Sequence, residues 1–205
     1  NSSSIFNAKE IEIRSSSKNK EIFYSIESEM INALSNSNNL SIFKPKIEIN
    51  NKDDYEVKLS ANKGDFFFER NQFDLSERIS VNIIKDKEEI ELFAEKVFVD
   101  IDKEYLSSTN LKVNHNDITF SGREVSLSDE FISMSGNPII FSKKDTFEGY
   151  SNEIRIDLKK NLLYLSGRSN ILIDGKDITG EEIIFDYSNN SILNSENLRI
   201  KSGNS

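Results

Sequence analysis

The ionisable side chains that stand next to one another are the first candidates for chemistry. Carboxylates are adjacent at Asp53-Asp54, Glu88-Glu89, Asp129-Glu130 and Glu181-Glu182, and a carboxylate pair is the minimum equipment for acid/base hydrolysis. On a strand, however, sequence neighbours project to opposite faces, so these pairs read as solvated surface charge. The single histidine, His115, lies in an Asn-His-Asn stretch with no partner implied, and reads as a surface-loop residue rather than a general base. Asp174-Gly175-Lys176-Asp177 has the outline of a calcium loop. It lacks the required ligand spacing and fits a hairpin turn better. With no cysteine in the chain, thiol nucleophiles, Cys-rich zinc sites, iron–sulfur clusters and disulfide frameworks are excluded. The expectation is a non-enzyme with no catalytic residue, metal site or cofactor.

Composition narrows the class further. A net charge of -9 with no Lys/Arg cluster argues against nucleic acid as a partner. Hydrophobic residues make up 36% and charged residues 30% of 205, which implies a high ratio of surface to core and suits an extended or layered shape. No apolar run approaches the length of a membrane-spanning helix, and no basic-then-apolar leader is present. The chain begins at Asn1 without an initiator Met, consistent with removal of a leader or anchor.

These residues must be positioned by strands. From about Leu40 onward apolar residues recur with period two, as in Ile47 and Ile49, then Tyr55, Val57, Leu59 and Ala61, the pattern of half-buried strands. Short polar breaks separate the runs at Glu69-Arg70-Asn71, Asp86-Lys87, Asp102-Lys103-Glu104, Lys159-Lys160-Asn161, Asp174-Gly175 and Ser188-Asn189-Asn190, and read as hairpin turns. Residues 21–34 fit either period. Phe23, Ile26, Met30, Ile31 and Leu34 suit a helix, whereas Ile22, Tyr24 and Ile26 suit a strand; the strand-rich context favours strand, with Ser35 to Asn39 as the loop that follows.

Segments beginning at Ala61, Ala94, Gly122, Ser151 and Gly180 share one grammar, at spacings of 33, 28, 29 and 29 residues. Each opens on a small residue, reaches Gly64, Val97, Val125, Ile154 or Ile183 three positions later, and continues with alternating apolar residues. A turn and a second alternating stretch follow, so each unit is a strand, a turn and a strand. Two strands with one apolar face cannot bury that face alone and must stack or pack across from one another. The result is a sandwich or flattened roll with one long internal seam, which is either a filled core or a binding surface.

At this point the residues resemble a family, the LptC and LptA (OstA-like) components of lipopolysaccharide transport. Residues 20–113 are similar to LptC, through Phe23-Tyr24-Ser25-Ile26-Glu27-Ser28, then Leu40-Ser41-Ile42-Phe43-Lys44-Pro45-Lys46-Ile47, and Tyr55-Glu56-Val57-Lys58-Leu59-Ser60-Ala61-Asn62-Lys63-Gly64. Residues 114–205 resemble LptA, through Gly136-Asn137-Pro138-Ile139-Ile140-Phe141, Phe147-Glu148-Gly149, Leu165-Ser166-Gly167, Ile178-Thr179-Gly180-Glu181-Glu182-Ile183 and Phe185-Asp186-Tyr187. The family's Leu-x-Gly is kept at Gly167 and replaced around Ser76-Glu77 and Ser107-Ser108.

The resemblance implies an all-β fold: an elongated β-jellyroll of stacked antiparallel strand pairs, one domain over residues 1–205, open at both ends. It implies a periplasmic component of the lipopolysaccharide export bridge, either tethered to the inner membrane by a segment ahead of Asn1 or free in the bridge. Its seam would bind the acyl chains of lipid A. The lining expected is Phe66, Phe68, Ile79, Val81, Val97, Val99, Leu111, Val113, Val125, Leu127, Ile139, Phe141, Ile154, Ile156, Leu165, Ile171, Ile173, Ile183 and Phe185. Other Lpt-type jellyroll proteins would be partners by edge-strand pairing, through Ile5 to Ile13 or Ile192 to Ile200, and an inner-membrane ABC transporter complex would be a partner in the LptC role. Against such pairing stand the edge charges Lys9, Glu10, Glu12, Arg14 and Arg199. The competing reading is a structural or adhesive β-repeat protein with a closed, dry core.

Overall fold

Alternating apolar residues without helix caps, punctuated by Asn, Asp and Lys turns, give strands throughout. The computed structural model describes residues 4–34, 37–52 and 54–202, and among them it contains sixteen strands and no helix. The strands are β1 (Ser4–Ser16), β2 (Ile22–Leu34), β3 (Leu40–Phe43), β4 (Lys46–Asn51), β5 (Tyr55–Ser60), β6 (Lys63–Phe67), β7 (Gln72–Lys85) and β8 (Glu88–Asp100), followed by β9 (Tyr105–His115), β10 (Ile118–Leu127), β11 (Ile132–Lys143), β12 (Phe147–Asp157), β13 (Leu162–Ile173), β14 (Lys176–Asp186), β15 (Ser191–Glu196) and β16 (Arg199–Ser202). The ambiguous residues 22–34 are strand. Their inward set Ile22, Tyr24, Ile26, Ser28 is buried with period two, so packing against neighbouring strands overrides the helical spacing. The loop expected at Ser35 to Asn39 lies partly outside the described residues. The six turns read from polar breaks all connect antiparallel or successive strands as expected, several of them through a residue at positive φ such as Asn71, Asp86, Glu104, Asn161, Asp174 or Asn190.

The chain forms two compact units, Asn1–Thr109 and Asn110–Ser205. In the first, β7 pairs β8 along its whole length, but on its other side it pairs β6 near its start and β5 near its end. β2 likewise pairs β1 throughout, then β4 with one half and β3 with the other. The long strands therefore run through two layers. One layer holds β4, β5 and the adjoining halves of β1, β2, β7 and β8; the other holds β3, β6 and the remaining halves. Where a strand passes between layers it bends or breaks. β7 and β8 slip register between Ser76 and Ile79 with Glu77 and Arg78 at positive φ, and β3/β4 and β5/β6 are single strands interrupted at Lys44-Pro45 and Ala61-Asn62. The interruptions are tied together by Lys44 N donating to Asn62 O, Ala61 N to Pro45 O and Asn62 N to Glu77 O.

The second unit repeats the device. Register slips fall between Ser121 and Glu124, Ser135 and Ile139, Tyr150 and Glu153, and Ser166 and Ser169, and β15 and β16 are two halves of one strand, both paired to β14 and broken at Asn197, whose φ is 53°. Each unit is thus an all-β antiparallel jellyroll made by folding a sheet over on itself along a crease.

The crease explains the repeat. Its small opening residues, Ala61, Ala94, Gly122, Ser151 and Gly180, lie in the middle of bent strands or at their breaks, not at the start of a hairpin. Where the strands bend, the neighbouring strand leaves little room for a side chain. A Cβ on Gly122 would stand 3.2 Å from Ser135 O, and one on Gly180 3.0 Å from Glu196 O. Where serine occupies the crease its hydroxyl replaces a lost ladder bond. The Ser151 hydroxyl lies 2.9 Å from both Glu153 O and Ser166 O, and 3.0 Å from Ser169 Oγ; that of Ser28 lies 2.8 Å from both Met30 O and Phe43 O and accepts from Phe43 N. Such groups are buried, so leaving a carbonyl unpaired there is costly.

Two substitutions check this account by denaturant unfolding. Ser151→Ala should lower stability by about 1–2 kcal/mol through the unpaired carbonyls. Gly149→Ala, whose added Cβ would stand 2.6 Å from the Phe141 ring and press on Asn170 O, should lower it by about 2–3 kcal/mol through overpacking.

Candidate functional site

The inner faces of the two layers meet across a continuous apolar seam in each unit. In the first, Tyr24 of one layer meets Phe66 and Phe73 of the other edge-on, both at 6.0 Å, while Phe66 and Phe73 stack on each other at 4.7 Å. In the second, Phe147 and Phe185 meet edge-on across the layers at 4.9 Å. Of the residues expected to line the seam, Phe66, Ile79, Val81, Val97, Val99, Leu111, Val113, Val125, Ile139, Phe141, Ile154, Ile156, Leu165, Ile171, Ile173, Ile183 and Phe185 are buried. Leu127, at the end of β10, is half-buried.

Phe68 is a correction, because it is 44% exposed. Its counterparts Ile101, Leu158 and Tyr187 also stand one residue past their strands yet are buried; Ile101 N and Tyr187 N donate to Asn71 O and Asn161 O, which holds those turns inward, whereas the turn after β6 is closed by Arg70 N donating to Phe67 O. Asn71 is carried inward instead and is buried. Alternation alone overlooked Phe73, Phe120, Leu163 and Ile178, all buried, although the same period-two signal was available for each. Tyr24 was obscured by the helix-or-strand ambiguity.

Opposite the crease, the turns of the two layers form a rim, and polar side chains bridge it. In the first unit the Tyr24 hydroxyl donates to Asn71 Oδ1 at 2.5 Å, Asn71 Nδ2 donates to Asp102 at 3.1 Å, and Asp102 accepts from Lys18 N at 2.8 Å. The Tyr55 hydroxyl donates to Glu104 at 2.9 Å; burial first, and the Glu104 carboxylate second, raise its pKa and keep it protonated as the donor. In the second unit His115 Nε2 lies 3.2 Å from the Tyr187 hydroxyl, with the rings edge-on. These partners are far apart in strand order, so each bond joins strand ends that are not neighbours in the sheet.

His115 is therefore not a surface-loop residue. It is 2% exposed, because β9 runs through it with Leu111 and Val113 on the same inward face, and the turn begins only at Asn116. Asp54 is also more than solvated charge: it pairs with Lys85, which is fully buried. Asp53 lies outside the described residues. The other adjacent pairs keep to the surface, with Asp129, Glu130, Glu181 and Glu182 exposed.

Toward β15 and β16 the layers of the second unit stand apart around a cavity of about 530 Å³. Ile173, Ile178, Ile192, Leu198 and Ile200 line it, with Asp174, Lys176 and Asn190 among the polar residues. Among the described residues β1 pairs β2 alone, and β15 and β16 pair β14 alone, so these are terminal strands. Charges at Lys9, Glu10, Glu12, Arg14 and Arg199 are exposed on them.

A family described as lipopolysaccharide-assembly, LptC-related, matches residues 3–146, most of the chain. The protein belongs to this LptC-related family. Membership carries with it a part in lipopolysaccharide assembly, and agrees with the resemblance read from the residues. Among solved structures, the chain is similar to LptH of Pseudomonas aeruginosa, described as the LptA-homologous periplasmic component of the lipopolysaccharide transport device, at 14% identity and a TM-score of 0.48, over 56% of this chain and 95% of that one. No curated protein matches.

In this LptC-related chain like charges face each other across several strand pairs, Glu12 and Glu27 or Glu182 and Glu196 among them, and at one such pair a carboxyl pKa is raised. Asp65 and Asp74 are direct cross-strand partners, and burial, then the Asp65 charge, raise the pKa of Asp74. A raised carboxyl pKa means that the folded state favours the protonated form, so the penalty is present at neutral pH and disappears as pH falls through the raised value. Asp74→Asn should raise stability at pH 7 by up to about 0.5 kcal/mol, the side chain being exposed. Thermal unfolding of parent and variant should converge on acidification.

Proposed function

We propose that this chain is a non-enzymatic periplasmic component of the lipopolysaccharide export bridge, whose inner seam takes up acyl chains and passes them on toward the outer membrane. Family membership sets the task, and the apolar seam opening into a cavity toward β15 and β16 is the observation that supports the route. Acyl chains ask only for continuous apolar lining. At about 0.8 kcal/mol per buried methylene, a dozen methylenes would supply roughly 10 kcal/mol without a specific polar contact. The negative charge of the chain is compatible with this if the phosphates of the head group stay in solvent.

The terminal strands β1 and β15/β16 are the surfaces by which neighbouring jellyroll proteins would add strands to the sheet, since unpaired backbone groups at an edge template another strand. The match over residues 3–146 favours a place at the inner-membrane end, beside an ABC transporter complex, over the middle of the bridge. The tight aromatic cluster of Tyr24, Phe66 and Phe73 favours the competing reading, a closed and dry core, for the first unit.

A photo-crosslinking amino acid placed in cells at Val99 and at Ile156 separates these readings. Transport predicts lipopolysaccharide adducts from Ile156, and from Val99 if both units carry lipid, with none from outward Arg155. Absence of adducts from every inward position would sink the transport reading.

A further inference from the structure

The rim of the second unit is closed by a buried polar pair where the repeat elsewhere places apolar side chains. Tyr187 corresponds to Ile101 and Leu158, and all three are buried at the strand end. An aliphatic residue there, as at Ile101 and Leu158, needs no polar partner, whereas a buried hydroxyl and imidazole must each find one or carry a desolvation cost. Tyr187 finds His115, across the layers and 72 residues away. This closure differs from an apolar one in a single respect: when the layers part, both rim groups are satisfied by water, and the apolar seam behind them is what an entering acyl chain would cover.

The opposite side of the same unit is built to bend. Gly122, Ser151, Gly167 and Gly180 mark the crease, Gly167 and Arg168 are at positive φ, and β15 and β16 are separated there by a break. At the β15/β16 end the layers already stand apart around the cavity of about 530 Å³. A continuous hinge on one side and a water-compatible closure on the other make a clasp.

We propose that the His115–Tyr187 pair is a releasable latch, holding the layers of the C-terminal unit shut until they hinge about the crease to admit an acyl chain. The latch rests on the proposed lipid-carrying role for its purpose, but its mechanics can be read without lipid. The 205 residues contain no cysteine, so Thr119→Cys and Asn189→Cys, both exposed and on opposite sides of the rim, can be spin-labelled uniquely in this chain.

The parent should give one narrow label-to-label distance. Tyr187→Phe, which removes only the hydroxyl, should shift the distribution to longer distances and broaden it, and His115→Phe should do the same as an independent variant. Tyr164→Phe, on the outer face, should leave it unchanged. Distributions identical to the parent in both latch variants would overturn the latch. Addition of lipid A should lengthen the parent distance and have less effect on the variants. Variants that open while neither they nor the parent respond to lipid A would support the latch and count against the lipid-carrying role.

Discussion

Everything in this fold depends on the steric limit at the crease. Where the strands bend, an added Cβ would stand 3.2 Å from Ser135 O at Gly122 and 3.0 Å from Glu196 O at Gly180, each a backbone oxygen of the neighbouring strand. Glycine, alanine and serine hold these positions. With serine, the hydroxyl also occupies the carbonyls that lose their ladder partners in the bend, as Ser28 and Ser151 do. The large inward residues are thereby displaced away from the crease, to the positions where the layers are far enough apart for Phe66, Phe73, Phe147 and Phe185 to meet. The seam is a consequence of where side chains are forbidden.

This is also why the repeat was legible and its boundaries were not. Alternation of Val97 with Val99, or of Ile154 with Ile156, marks inward faces directly, and nearly all the residues so identified are buried. The recurring small residue reads naturally as the start of a unit, because in most sheets small residues stand at turns. Here it stands in mid-strand, and nothing local distinguishes a bend within a strand from a break between two. Phe68 misled because alternation runs one step past each strand: Ile101, Leu158 and Tyr187 stay inward there, and Phe68 does not.

The polar rim was the least visible part. Asn71, Asp102 and Glu104 are ordinary turn residues by type, and their role arises only when turns distant in sequence are brought together where the two layers meet. His115 illustrates this well. Its flanking asparagines suggest a loop, yet it continues the inward row of Leu111 and Val113 and finds its partner 72 residues on. The family, by contrast, was readable from order and spacing, since those reflect the strand-and-crease rhythm.

In the second unit each strand from β10 to β14 is hydrogen-bonded to its immediate predecessor and successor in the chain. Pairing of that kind closes only short loops, so strands can add one hairpin at a time as the chain emerges, with no wait for a distant segment. The bond between His115 and Tyr187 changes the last step. Leu111 and Val113 remain beside an unfinished rim until Tyr187 has been made. An N-terminal fragment stopping short of β14 would therefore keep its ladder and leave its interior wet, which makes completion of the chain, rather than formation of its strands, the event that dries the core.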